Sequence, residues 1–279
     1  MKHLKRILAI LAAALLVAGL LGGCNYDASG PVNSPADFEG KKIAVQTETT
    51  ASDSISELKN NENMRVKVYE YPKITQCFDD LAAGRVAAVY VDSVVAAYYT
   101  SGKAEYTRTW ISDVPEPMGI CLRKDSESLA AAIEAALDML NYNGRMQEIA
   151  QKNFGEDFTA NLRTVVEEPV IPTGFTTTKP GVLAVGSEVA YPPMEYVDKD
   201  GATPIGFDID VAYALGEVLG LEVEIRDTAW EGIFAGLETA QYDLIISAIS
   251  ITPERQEKYI LTEPYVANAL CIVTRTPTE

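Results

Sequence analysis

The stretch Tyr242-Asp243-Leu244-Ile245-Ile246-Ser247-Ala248-Ile249-Ser250-Ile251-Thr252-Pro253-Glu254-Arg255 decides how the rest of the chain is read. Leu244, Ile245 and Ile246 form a short apolar run, the pattern of a buried strand. Small polar residues follow, and then Thr252 and Pro253 open a helix, one suited to the cap and the other to the first helical position. Arg255 falls in that first turn, where the helix dipole opposes a cation. Two readings fit. Arg255 is a solvated residue on an ordinary helix, or it completes an anion receptor in which backbone N–H groups and hydroxyls face a carboxylate that the guanidinium grips bidentately.

Composition narrows the field. The 279 residues suffice for one large or two modest domains, and 47% hydrophobic with 23% charged residues is a globular balance. A formal net charge of −17 argues against a nucleic-acid partner. The one histidine, His3, lies at the extreme N-terminus, which leaves no histidine for a metal or acid–base site in the body of the chain. Cysteines 24, 77, 121 and 271 have no metal-binding spacing, so neither a metal nor a cofactor is expected.

Residues 1–24 read as an export signal. Lys2, Lys5 and Arg6 precede an apolar run over residues 7–21, which ends in Leu21-Gly22-Gly23-Cys24. Residues 25–36 form a polar tether. The first folded unit, residues 37–120, begins with a strand at 43–45, a hydroxyl-rich loop containing Gln46, Thr49 and Thr50, and a helix from about 51 to 59 capped by Thr50. A strand over 66–71, a helix over 74–83 and a buried strand over 86–91 follow, the last delivering Asp92 at its C-terminal end. Ligands of open α/β sheets bind at that end, although Asp92 could instead cap the next helix. Residues 121–155 carry a short strand and two helices, and residues 156–180 read as a linker. Residues 181–279 repeat the grammar of the first unit: GKKIAVQTETT parallels PGVLAVGSEVA, and LAAGRVAAVYVDS parallels LETAQYDLIISAIS. Two α/β lobes with facing strand ends would leave a ligand cleft between them.

AYPPMEY, IGFDIDVAYALGEVLGLEVE, DTAWEGIFAGLETAQYDLIISAISITPER and LTEPYV resemble the first lobe of the polar-amino-acid solute-binding proteins of ATP-binding-cassette importers. FEGKKIAVQTETT, GRVAAVYVDS and residues 119–154 are similar to that family's second lobe and its returning helices. The resemblance implies a two-lobed periplasmic-binding-protein-like type II α/β fold. The lobes stand in exchanged order, as in a circular permutation, with residues 156–180 bridging the usual termini. The new termini would then fall at one interlobe crossover, between Thr274 and Phe38, leaving only the crossover near residues 119–124 continuous. Cys121 and Cys271, on the two crossover strands, are free thiols or a disulfide that restores the link.

Residue by residue, the resemblance implies that Arg255 holds a ligand carboxylate with help from Ser250 and the Thr50 N–H. Asp92 would pair with the α-ammonium beside the Ala248 carbonyl. Tyr191 and Trp230 would flank the side chain with flat faces, and Glu188 would meet a polar or cationic group, with Gln46 and Thr49 at the same end. Glu48 stands where the family has glycine, which disturbs the expected geometry of that loop. Leu21-Gly22-Gly23-Cys24 resembles a lipobox, which implies a lipid anchor on Cys24 at the outer face of the cell membrane. The expected function is capture of a free amino acid and delivery to the permease subunits of an importer. The protein would be a monomer or, through its long linker, a lobe-swapped dimer. The alternatives are a dehydratase-like enzyme on the same fold and a sensor or partner-binding paralogue.

Overall fold

The computed structural model describes residues 26–154 and 158–276, so the expected leader and Cys24 lie outside the described residues. The first half supplies β1 (Lys42–Gln46), α1 (Thr50–Asn61), β2 (Lys67–Tyr71), α2 (Ile74–Ala82), β3 (Ala88–Asp92), α3 (Ser93–Thr100) and β4 (Tyr106–Ile111). It continues through β5 (Cys121–Arg123), α4 (Glu127–Tyr142) and α5 (Arg145–Phe154). The second half supplies β6 (Val182–Ser187), the small hairpin β7 (Tyr196–Val197) and β8 (Pro204–Ile205), α6 (Phe207–Leu219) and β9 (Glu222–Asp227). It ends with α7 (Ile233–Glu238), β10 (Leu244–Ile245), α8 (Pro253–Lys258), β11 (Tyr259–Leu261) and β12 (Leu270–Arg275).

Two five-stranded sheets form, in the orders β2-β1-β3-β12-β4 and β9-β6-β10-β5-β11. The orders are the same when the strands are matched by role. In each sheet three parallel strands from one half of the chain are joined by an antiparallel strand from the other half, β12 in the first and β5 in the second. The central strands are buried on both faces, as their unbroken apolar runs require. Helices α4 and α5 pack on α6 in the second lobe, and Leu129, Ile133, Ala136, Leu137 and Leu140 form the buried stripe expected at helical spacing. Residues 158–180 carry no helix or strand. They are nonetheless strapped down, with Arg163 ion-pairing with Glu134 and Asp138 at 2.6 and 2.7 Å.

The structure corrects the expected severed crossover. Residues 112–120 lead from β4 into β5, and residues 262–269 lead from β11 into β12, so both interlobe connections are covalent. They run antiparallel to one another. Glu116 N–H donates to the Asn268 carbonyl at 2.8 Å, Met118 N–H to Val266 at 3.0 Å, and Thr262 N–H to Ile120 at 3.0 Å. The two ends of the described residues meet beside the first sheet, where residues 28–33 and 274–276 line one groove. The sequence places β12 on a crossover cut at the chain's ends, because nothing local in an apolar strand says which sheet it joins.

The disulfide alternative also fails. Cys121 lies in β5 and Cys271 in β12, strands of different sheets, and both thiols are free and buried. The crossovers do pair, but along residues 116–120 and 262–268, between the two cysteines. Smaller differences concern helix starts and edge strands. The cap of α1 is Thr49, which accepts from Ser52 N–H at 3.3 Å, rather than Thr50. β4 and β11 are edge strands whose sequences gave little alternation.

Candidate functional site

Equivalent strand ends from the two sheets face each other. β1 ends in Gln46 and leads through Thr49 to the N-terminus of α1, while β6 leads directly into Glu188. β3 ends in Asp92, and β10 runs into Ser247, Ala248 and Ser250 before α8. The cap geometry of α8 is as its sequence reads: Thr252 accepts from Arg255 N–H at 3.3 Å, with Pro253 in the first turn. Asp92 occupies the cap position of α3 but makes no capping hydrogen bond, which leaves its carboxylate for the cleft.

Between these ends lies a narrow cavity, with about 330 Å³ of empty space when the part open to solvent is included. All ten residues singled out from the sequence line it: Gln46, Thr49, Thr50 and Asp92 from the first lobe, and Glu188, Tyr191, Trp230, Ala248, Ser250 and Arg255 from the second. Glu195 and Ser247 complete the lining.

The lobes are closed over this space by direct hydrogen bonds. Gln46 Nε2 donates to Glu188 at 2.8 Å, Trp230 Nε1 to the Glu48 carbonyl at 3.2 Å, and Thr47 Oγ1 to Glu231 at 3.3 Å. Glu48 itself takes a φ of +57°, the left-handed region that glycine enters most readily. The departure from glycine is thus accommodated by a residue held in that conformation.

Arg255 is half-buried. Its guanidinium lies over the rings of Phe234 and Trp230, at 5.4 and 5.8 Å from their centroids, and donates to the Ser250 carbonyl at 2.9 Å. Among the described residues it forms no ion pair, and burial lowers its pKa. Asp92 is buried in the opposite lobe. It accepts from the Tyr191 hydroxyl and from Asn268 Nδ2. Desolvation, reinforced by the nearby Glu116 charge, raises its pKa to about 7 against the lowering effect of those two bonds and of Arg255. Desolvation likewise raises Glu188 to about 7, with Gln46 opposing.

Tyr191 differs from the sequence expectation. Rather than offering only a flat face, it points its hydroxyl at Asp92, which ties the two lobes together at that carboxylate. The Thr50 hydroxyl is likewise engaged, donating to Glu116, while its N–H sits in the first turn of α1. Sequence reasoning missed Asn268, Glu116, Glu195 and Ser247. The first two lie on the crossovers, and only the pairing of those segments carries them to Asp92 and Thr50.

Two family models match the chain. One, described as bacterial extracellular solute-binding proteins, family 3, matches residues 183–279. Residues 183–279 are thus similar to the family 3 solute-binding proteins over about a third of the chain. The other model, described as NMT1/THI5 like, matches residues 3–131.

Among curated relatives of the family 3 segment, a probable amino-acid ABC transporter-binding protein of Haemophilus influenzae is 39% identical over 98 residues, 35% of this chain and 38% of the relative. The L-cystine-binding protein TcyA of Bacillus subtilis is 35% identical over 97 residues, 35% and 36% of the two chains. The chain thus spans a little over a third of the length of these relatives. Among solved structures, the arginine-bound domain 1 of TmArgBP is 34% identical over 34% of this chain and 81% of that one, with a TM-score of 0.31. An ancestral amino-acid-binding protein described as a precursor of cyclohexadienyl dehydratase is 44% identical over 28% and 34%, with a TM-score of 0.27.

Proposed function

We propose that the protein is a receptor that captures one free amino acid between its lobes and hands it to an ATP-binding-cassette importer. The observation that carries this reading is the pairing of Arg255 and Asp92, from opposite lobes, on one closed cavity. A zwitterion needs a fork of donors at its carboxylate and an acceptor at its ammonium, and these two side chains supply them. Ser250 and the N-terminus of α1 at Thr50 add donors near the carboxylate, and the Ala248 carbonyl adds an acceptor near the ammonium. A ligand bridging the lobes would favour the closed state over an open one. Glu188 and Gln46 offer acceptors to a polar or cationic side chain, consistent with relatives named for cystine and arginine.

In this reading the lobes stand in exchanged order. Support comes from the two identical strand orders, each completed by a strand from the other half of the chain. Cys24 carries a lipid that tethers the domain to the outer face of the cell membrane through residues 25–36. The protein acts without covalent chemistry.

A second reading, an eliminating enzyme on the same scaffold, draws on Asp92 and Glu188, whose raised pKa values let either hold a proton near neutrality. One screen separates the two. Protein unfolded and refolded to strip carried-over ligand is melted with each of the twenty amino acids. The receptor reading expects one polar or basic amino acid to raise the melting temperature, with the shift lost in Asp92→Asn and no product formed. A flat screen overturns it.

A further inference from the structure

In the wall of the cavity, Glu195 hydrogen-bonds side chain to side chain with Asp208 behind it, the two residues being 1% and 0% exposed. Asp208 sits in the first turn of α6, where the helix dipole favours an anion. It accepts from Ala248 N–H at 2.8 Å and from the Tyr265 hydroxyl at 2.7 Å. Glu195 accepts from the Ser247 hydroxyl at 2.7 Å, and that same hydroxyl accepts from Glu188 N–H at 3.0 Å. The second oxygen of Glu195, Oε2, is buried with no donor facing it. Among the described residues neither carboxyl forms an ion pair. The other titratable groups that face Glu195 are Glu188 and Tyr191, from the loop after β6, and Tyr265, from the crossover. None of them brings a positive charge.

Two adjacent carboxyls in a dry interior cannot both ionise. Asp208 has two donors and a helix N-terminus to stabilise its charge, so the proton belongs on Glu195. A proton there also supplies the hydrogen that the unpartnered oxygen lacks.

We infer that Glu195 and Asp208 form a carboxyl–carboxylate pair sharing one proton, and that this pair positions the 247–250 loop for the ligand. Ala248 is held at a φ of +50°, a conformation alanine adopts at a cost unless its surroundings fix it. The N–H of Ala248 is anchored on Asp208, and Ser247 before it on Glu195. Together these anchors aim the Ala248 carbonyl and the Ser250 groups at the cavity. Glu195 and Asp208 are positioning residues, and their effect on affinity rests on the receptor reading above, whereas the shared proton does not.

The shared proton is read by infrared spectroscopy of the ligand-stripped full chain at about pH 9, where ordinary carboxyls, titrating near ~4, are ionised. The expected result is a residual protonated-carboxyl band in the native protein that disappears in Glu195→Gln. Affinity for the amino acid found in the screen gives the second arm. Glu195→Met, which removes the donor, weakens binding ~10-fold or more, and Glu195→Gln, which keeps one, recovers most of that loss. Absence of the band, or a Glu195→Gln loss as large as that of Glu195→Met, overturns the inference. If no amino acid binds, the receptor reading fails and the infrared band alone decides the pair.

Discussion

Gln46, the last residue of β1, and Glu188, the residue that follows β6, hydrogen-bond across the cleft at 2.8 Å. The contact expresses the architecture in one bond. Two copies of a strand-to-loop grammar, facing each other, bring polar side chains of opposite lobes onto one small cavity. Burial of those side chains makes the cavity chemically responsive and sets its dependence on pH.

Stability of the ligand-free protein falls as pH rises through the window from ~4 to ~7. Asp92 is raised from 3.8 to about 7, Glu188 from 4.5 to about 7, and Asp208 from 3.8 to about 6, all chiefly by desolvation. Between the ordinary and the raised values the folded state keeps protons that the unfolded chain has released, so each unit of pH gained costs stability. Thermal melts at pH 5 and pH 8 check this. Asp92→Asn and Glu188→Gln each flatten the slope, and a melting temperature that climbs from pH 5 to pH 8 contradicts the assignment.

Cys77, Cys121 and Cys271 stay reduced and unreactive in the folded protein. Burial pushes the Cys121 and Cys271 thiols up to about 12 and that of Cys77 higher still, which suppresses the nucleophilic thiolate. A thiol reagent added to native protein without reductant labels none of the three, and after unfolding it labels all three. Failure to label Cys121 and Cys271 after unfolding points to a disulfide.

Gly186→Ala destabilises the second lobe by about 1–3 kcal/mol. Gly186 lies in the buried strand β6, and a methyl group there would overlap the ring of Tyr242, which is itself fully buried with its hydroxyl on the Ile233 carbonyl. Urea unfolding measures the loss. Tyr242→Leu, which removes the ring, reduces the additional cost of Gly186→Ala, and strict additivity of the two changes refutes the overlap.

Much of this site was legible in the sequence because its parts are local. A buried strand ends, a hydroxyl-rich loop follows and a capped helix begins, and each of these signals occupies fewer than a dozen residues. Asp92 and Arg255 were therefore singled out without tertiary information, and the family resemblance assigned their roles. The crossover near residues 119–124 was legible too, but the sequence makes the one over residues 262–269 look cut. β12 is an apolar strand whose partner sheet is chosen by pairing with β3 and β4, roughly 160–185 residues earlier in the chain, and no short-range pattern records such a choice. Asn268 and Glu116 were lost for the same reason, since they reach the site only because residues 116–120 and 262–268 run side by side. Glu195 and Asp208 sit in apolar-rich stretches where a carboxylate reads as surface, and only their joint burial reveals them.

The measurement that bears most directly on the central claim is a calorimetric double-mutant cycle on Arg255 and Asp92, run on stripped protein with the amino acid found in the screen. A zwitterion held at both ends predicts that Arg255→Ala and Asp92→Ala each weaken binding ~30-fold or more, because each strands one charge of the ligand in a buried site. The double variant then loses less than the two single losses combined, since the lobes no longer close on the ligand. Binding that survives either single change undiminished would contradict the account.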